Sequence, residues 1–291
     1  MITDLGNSAK MIGVGNIEGF SNSASDIFGN PAGINRNRAG SLALFTTTLM
    51  NEVIFNSVSL ATKTPFGTVG VGYMEGSIRN IPYTGKTDAS QNSNQPFYTI
   101  SAFDYRNTVI KATYENEFPV SLTDGQHQKL SVGASATQYT ISYYDVFGRG
   151  YNIDLGALLE FEKISFSMAA KNVLPMFSVN YNTGAKETLP LQLVSGVKYT
   201  LFDADLMLQL KRVEGHNLAS AGIIYTPRFV PFIQLLAGYK ETLGPALSKP
   251  KTSGTLGLAL KLDGLQFHYA YEKSEHVEFD NKNYFSISLD I

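Results

Sequence analysis

The sequence predicts an all-β protein, a 14-stranded antiparallel transmembrane β-barrel, and three observations predict it. From Ala39 onward, large apolar residues alternate with small or polar ones at a period of two. Only 16% of the 291 residues are charged, yet there are 18 Phe and 16 Tyr. Short and long connections alternate along the chain, as in barrels with tight turns at one rim and loops at the other. Ample apolar material excludes a disordered chain. The absence of cysteine excludes a disulfide scaffold and a thiolate metal site. No stretch approaches the ~20 uncharged apolar residues of a membrane helix. A net charge of −2 and a pI near 6.1 offer no basic field for nucleic acid.

The first 38 residues stand apart. Lys10 to Arg38 is rich in Gly, Asn and Ser and lacks alternation. The chain therefore divides into an N-terminal segment, 1–38, and a barrel, 39–291. Met1-Ile2-Thr3-Asp4-Leu5 lacks a basic start and apolar run, so the sequence reads as one without its signal peptide.

Strand candidates follow in order near 39–50, 53–63, 67–77, 107–117, 128–142, 149–161, 163–172, 190–201, 203–213, 215–226, 230–241, 252–262, 264–273 and 282–291. A fifteenth, 97–105, would put the turns at Thr64-Gly67 and Glu162-Lys163 on opposite rims. It is assigned to one long loop over about 78–106, leaving an even count. The other long connections are 142–149, 173–189, 241–252 and 273–282. The outward faces carry runs such as Leu206, Leu208, Leu210 and Leu256, Leu258, Leu260. The inward faces carry Asp154, Leu158, Lys198, Asp205, Lys211, Lys261 and His268, predicted to line the lumen.

Ser23-Ala24-Ser25-Asp26-Ile27-Phe28-Gly29-Asn30-Pro31-Ala32-Gly33-Ile34 resembles the start of the FadL-like outer-membrane barrels. Downstream, Asp154-Leu155-Gly156-Ala157-Leu158, Val194-Ser195-Gly196-Val197-Lys198-Tyr199 and the closing Phe285-Ser286-Ile287-Ser288-Leu289 follow in the order of the PorV/PorQ-type branch. The resemblance covers nearly the whole chain. It implies a fourteen-stranded barrel in the bacterial outer membrane, surrounded by its lipids, with residues 1–38 folded inside as a hatch. Phe28, Asn30, Pro31, Ala32 and Gly33 would belong to the hatch and its ligand route; packing of a plug demands the same residues.

Two roles follow from the resemblance. One is binding or transport of hydrophobic, fatty-acid-like small molecules. It needs an apolar pocket between hatch and wall and a break in one strand, for which Pro231 is the candidate. A sealed, charge-paired interior would exclude it. The other is a PorV-like barrel serving type IX-like secretion or surface attachment, with a secreted or surface protein partner on loops 78–106 and 173–189. Lys198 and Lys261 suit a carboxylate; mutual pairing, or pairing with Asp26, Arg36 and Arg38, is the reading favoured for the lumen charges, which need partners but no substrate. Gly13-Val14-Gly15-Asn16-Ile17-Glu18-Gly19 imitates a phosphate loop, but no strand precedes it. No nucleophile, base and orienting group come together in the sequence, and His276-Val277-Glu278 offers too few ligands for a metal. The chain is thus read as a non-enzyme without cofactors.

Overall fold

The computed structural model describes residues 2–34, 39–86, 97–123, 126–174, 177–243, 250–273 and 281–291. Arg36, Arg38 and His276 lie outside them. Fourteen antiparallel strands close into a barrel. They are β1 (Gly40–Leu49), β2 (Val53–Thr64), β3 (Gly67–Lys86), β4 (Phe97–Thr123), β5 (Gln126–Tyr143), β6 (Val146–Glu160) and β7 (Ile164–Lys171), then β10 to β16. Between these two sets lies a small ribbon, β8 (Val179–Tyr181) and β9 (Lys186–Glu187). The second set is β10 (Gln192–Leu201), β11 (Ala204–Val213), β12 (His216–Tyr225), β13 (Ile233–Thr242), β14 (Lys251–Leu262), β15 (Leu265–Glu272) and β16 (Lys282–Asp290).

Closure comes from β1 on β16, in register from Ser41↔Asp290 to Thr47↔Tyr284. No strand edge is left to solvent along that seam. The period-two pattern sorts side chains between two environments. Leu206, Leu208 and Leu210 of β11 point outward and are exposed, whereas Met207 and Gln209 are buried. An exposed belt of this kind is the surface that lipid covers.

Two connections differ from expectation. Residues 97–105 are not loop: they begin β4, a strand of 27 residues paired with the 20-residue β3. The count of fourteen survives because 97–105 and 107–117 are one strand. A register shift between Ile78 and Ile81, with Asn80 at φ 57° and its N–H on Asp104 Oδ1 at 3.0 Å, interrupts the alternation there. That bulge is why the extension looked like a loop. Residues 142–149 form a tight turn instead, since Tyr143 pairs with Val146 and Tyr144 takes φ 49°.

The N-terminal segment packs against the inner wall on opposite sides. It is built of short turns, α1 (Ala9–Gly13) and 3-10 turns at Ile2–Leu5, Ala24–Phe28 and Pro31–Gly33. Ala9, Ile12, Val14, Ile17, Ala24, Ile27, Ala32 and Ile34 are fully buried. Its two halves reach the wall at two notches made by cross-paired glycines. Gly133 pairs with Gly156 on β5 and β6. Gly222 pairs with Gly238 on β12 and β13. A Cβ on Gly156 would lie 1.9 Å from Asn30 Oδ1, and one on Gly238 would lie 2.2 Å from Gly15 N. Only glycine admits backbone so close to the sheet.

Candidate functional site

The lumen has three tiers. The first, toward the rim of the longer connections, is apolar and aromatic. Phe45, Phe55, Met74, Val109, Tyr139 and Tyr284 point inward there and are buried with Phe28. Phe45 meets Phe55 edge-on at 5.6 Å and stacks with Tyr284 at 6.2 Å, geometries aromatic rings prefer. The hydroxyls are already engaged: Tyr284 donates to Glu272 Oε2 at 2.9 Å and Tyr139 to Asn172 Oδ1 at 2.8 Å.

Residues 179–189 pack on this tier. Strand β8 lies on β6, and Val179 and Leu189 enter the apolar cluster. Gly148 and Gly150 make room, since a Cβ would meet the Tyr181 ring at 2.7 Å or Val179 at 2.9 Å. The segment read from sequence as a partner-binding loop, 173–189, therefore contributes a cover to the lumen. Of the other segment given that role, 78–106, the described residues 78–86 and 97–106 are strand.

A lattice of charged pairs on β4, β6, β7 and β11 adjoins this tier at Asn172, whose Oδ1 accepts from Tyr139 and whose N–H donates to Asp154. Lys171 Nζ meets Glu18 Oε2 at 2.6 Å, and Lys211 Nζ meets Asp4 Oδ1 at 2.7 Å and Glu18 Oε1 at 3.8 Å. Lys111 pairs with Asp154, whose Oδ1 also accepts the Asn172 N–H at 2.8 Å. Burial opposes ionisation of Asp4, but Lys211 beside it holds the carboxyl well below the usual range. Beyond the lattice, Lys240 and Lys282 flank Glu272 at 2.7 and 3.1 Å.

The third tier, toward the short-turn rim, gathers Lys10, Lys198, Lys261, Asp205 and His268. Burial, then Lys261 and Lys198, pushes the Lys10 ammonium down to about 8. Asp205 accepts from Thr200 Oγ1 at 2.7 Å.

The residues singled out from sequence thus separate. Asp154 and Lys211 sit in the charge lattice. Leu158 is fully buried with Met11, Ile17 and Phe20 in the cluster beside it. Lys198, Asp205, Lys261 and His268 belong to the third tier. In the 23–34 motif, Phe28 alone of Phe28, Asn30, Pro31, Ala32 and Gly33 joins the aromatic tier. Asn30 is an anchor: its Nδ2 donates to Ala157 O at 3.1 Å, Ser167 Oγ at 2.8 Å and Met168 O at 3.1 Å, and its Oδ1 accepts the Ala32 N–H at 2.9 Å. Pro31 fills the Gly133–Gly156 notch. Ala32 packs with Leu158, and Gly33 lies against Asp26, whose Oδ2 lies 2.7 Å from where a Cβ would stand.

Sequence reasoning missed Phe45, Phe55, Tyr139 and Tyr284. Their signal was available: the inward positions of several strands turn large and aromatic toward one rim. It also missed Asp4 and Glu18, which no local pattern places opposite Lys211 and Lys171.

Pro231 breaks no strand, since it precedes β13 in the turn from β12. The discontinuity is at β7. That strand stops at Lys171, Asn172 takes φ 57°, and the β6–β7 ladder runs only from Leu155↔Ala170 to Glu160↔Ser165. Beyond it Val173 N–H donates to Ile153 O at 3.0 Å, the Asn152 side chain accepts the Leu174 N–H at 3.1 Å and donates to Leu174 O at 3.2 Å, and β8 takes up the pairing with β6 at Arg149↔Asn180. On the outer face at this place lies a groove of about 630 Å³, lined by Leu155, Ala157, Met168, Ala170, Leu193 and Leu210 among others.

No protein-family model and no curated protein sequence matches the chain. Solved structures do. The Pseudomonas putida toluene transporter TodX aligns with 97% of this chain and 96% of its own, at TM-score 0.61 and 13% identity. This chain shares the TodX barrel fold. A TodX deltaS2S3 mutant, a monoaromatic hydrocarbon channel, aligns over 98% of both chains at TM-score 0.65 and 12% identity. A Pseudomonas aeruginosa FadL homologue aligns over 97% of both at TM-score 0.56 and 10% identity. Nothing in the likeness supports the PorV/PorQ-type branch suggested by the order of motifs.

Proposed function

We propose that this barrel passes hydrophobic small molecules across the bacterial outer membrane, with residues 1–38 as its hatch. The observation that supports the reading most is the aromatic tier beneath residues 179–189. Phe45, Phe55 and Met74 form an inward apolar cluster, unlike the polar interior of a porin. Its engaged hydroxyls offer a guest apolar walls, which suits a neutral compound. The names of the structural neighbours, a toluene transporter and a hydrocarbon channel, agree with this class.

The pairs Lys171–Glu18, Lys211–Asp4 and Lys111–Asp154 occupy part of the lumen, and the reading routes the guest past the apolar residues instead. The incomplete β6–β7 ladder beside the aromatic tier, with an apolar groove outside it, supports a route toward lipid at that place. Uptake of radiolabelled toluene and of a labelled long-chain fatty acid, by cells lacking their own carriers and expressing this chain, tests the proposal. Uptake above the empty-vector control, reduced by Phe55→Arg, is expected. Rates equal to the control for both compounds would overturn it.

A further inference from the structure

Two apolar grooves meet the exposed Leu206, Leu208, Leu210 row of β11, and they differ in one respect. The groove across β10 to β13, of about 720 Å³, is lined by Val197, Tyr199, Ile223 and Ala237 among others and by no charged residue. The lining of the groove of about 630 Å³ beside β7 includes Arg212 and Asn217. Lys211 also borders it, but its ammonium is engaged by Asp4 and Glu18.

The pairing register builds this second groove. One row runs Leu155, Ala170, Leu193, Arg212, Asn217 across β6, β7, β10, β11 and β12. The next row toward the short turns runs Ala157, Met168, Ser195, Leu210. Small Ala157, Ala170 and Ser195 stand between larger neighbours and hollow the outer surface into a trough. Arg212 is the last outward residue of β11 before the Glu214-Gly215 turn at the rim of the longer connections.

The Arg212 guanidinium is exposed and enters no ion pair or hydrogen bond among the described residues, Glu214 included. The outward rows of β6, β7, β10, β11 and β12 hold no carboxylate. A charge at the head of a lipid-facing trough takes a counter-ion. A neutral guest supplies none, and a second copy of this face supplies only another arginine. An acyl lipid supplies both parts: a chain for the trough and a phosphate for the planar guanidinium fork.

We propose that this groove binds one phosphate-bearing membrane lipid of net negative charge, with its acyl chain along Ala157, Ala170 and Ser195 and its phosphate on Arg212. The site rests on the barrel's place in a membrane and is independent of transport.

Native mass spectrometry of the full chain in detergent tests this with dioleoyl phosphatidylglycerol and dioleoyl phosphatidylcholine. The unmodified protein should retain one phosphatidylglycerol about fivefold more tightly than phosphatidylcholine, the factor that one arginine near a membrane surface supplies. Arg212→Gln should abolish the preference. Arg149→Gln, which removes an outward arginine seated on the Phe147 ring, should keep it. Ala170→Trp, which fills the trough, should lose the bound lipid; a preference that survives it would mean a phosphate held without its chain and would overturn the proposal. Equal retention of the two lipids by the unmodified protein, or the same loss in Arg212→Gln and Arg149→Gln, would overturn it too. If a variant does not fold, the comparison of the two lipids on the unmodified protein decides. Uptake is not read in this experiment, so the lipid site and the transport reading fail separately.

Discussion

The two glycine notches hold the same segment in different ways. At Gly133–Gly156 the Pro31 backbone lies on Gly133 and the Asn30 and Pro31 side chains on Gly156, and Asn30 makes four hydrogen bonds, three of them to β6 and β7. At Gly222–Gly238 the visitor is backbone. Gly15 N–H donates to Thr255 Oγ1 and Thr255 Oγ1 donates to Gly13 O, both at 3.2 Å. The first notch needs one residue type and therefore shows in the sequence as a motif. The second needs Gly15, at φ 88° with a Cβ position 2.4 Å from Tyr239 O, and shows in the sequence only within the Gly13-Val14-Gly15 run. An anchor made of side-chain amide bonds is also the costlier to lose, because buried wall carbonyls lose a donor with it.

That contrast can be broken most severely at the first notch. Gly156→Val places a branched side chain where Asn30 and Pro31 lie, and neither can shift without leaving the wall. The expected result is undocking of residues 20–34, read as proteolysis there in an otherwise folded barrel. Protection equal to the unmodified protein would show that the notch is not needed. Asn30→Ala should be milder, costing about 2–4 kcal/mol from three lost wall bonds and a lost cap. Hydrogen exchange should then accelerate over residues 20–34 and stay slow over residues 9–17. Thr255→Val should reverse the pattern at about 1–2 kcal/mol, quickening exchange at residues 13–16 alone. If both variants loosened the entire segment equally, the notches would act as one unit rather than two.

A pH series sharpens the comparison further, with the smallest effect. Lys10 holds a value of about 8 in the folded chain against an ordinary 10.5. Between these values the undocked segment binds more protons than the docked one, so docking strengthens as pH rises from 8 toward 10.5. The charged or titratable groups around Lys10 are Lys198, Lys261, Asp205, Asp26 and His268. Denaturant midpoints at pH 8, 9 and 10 should climb in the unmodified protein and stay flatter in Lys10→Met. Equal slopes would assign the effect to the neighbouring lysines. Asp4 works in the opposite window: its lowered value stabilises above about pH 4 and that contribution fades as pH falls below it.

Much of the wall was legible because alternation is a local property. Each strand of β11 or β15 announces its two faces in eight or ten consecutive residues, and an outward Leu next to an inward Gln or His needs no tertiary knowledge. The long β3–β4 hairpin was misread for a physical reason: the bulge at Ile78–Ile81 spoils the period where the strands leave the barrel. Of the candidate site, the Asn30-Pro31 turn and inward Asp154, Lys211 and His268 could be named from sequence.

What the sequence by itself determined was the binary choice at each position, inward or outward, and hence a fourteen-stranded closed wall with an irregular segment ahead of it. Only the tertiary structure decided which inward residues meet. Asp4 and Lys211 are 207 positions apart and Glu18 and Lys171 are 153 apart, and no periodicity links them. The aromatic tier likewise gathers residues from strands distant along the chain. Pairing across a lumen depends on barrel closure and on the path of the segment inside it, and both are properties of the whole chain rather than of any window of it.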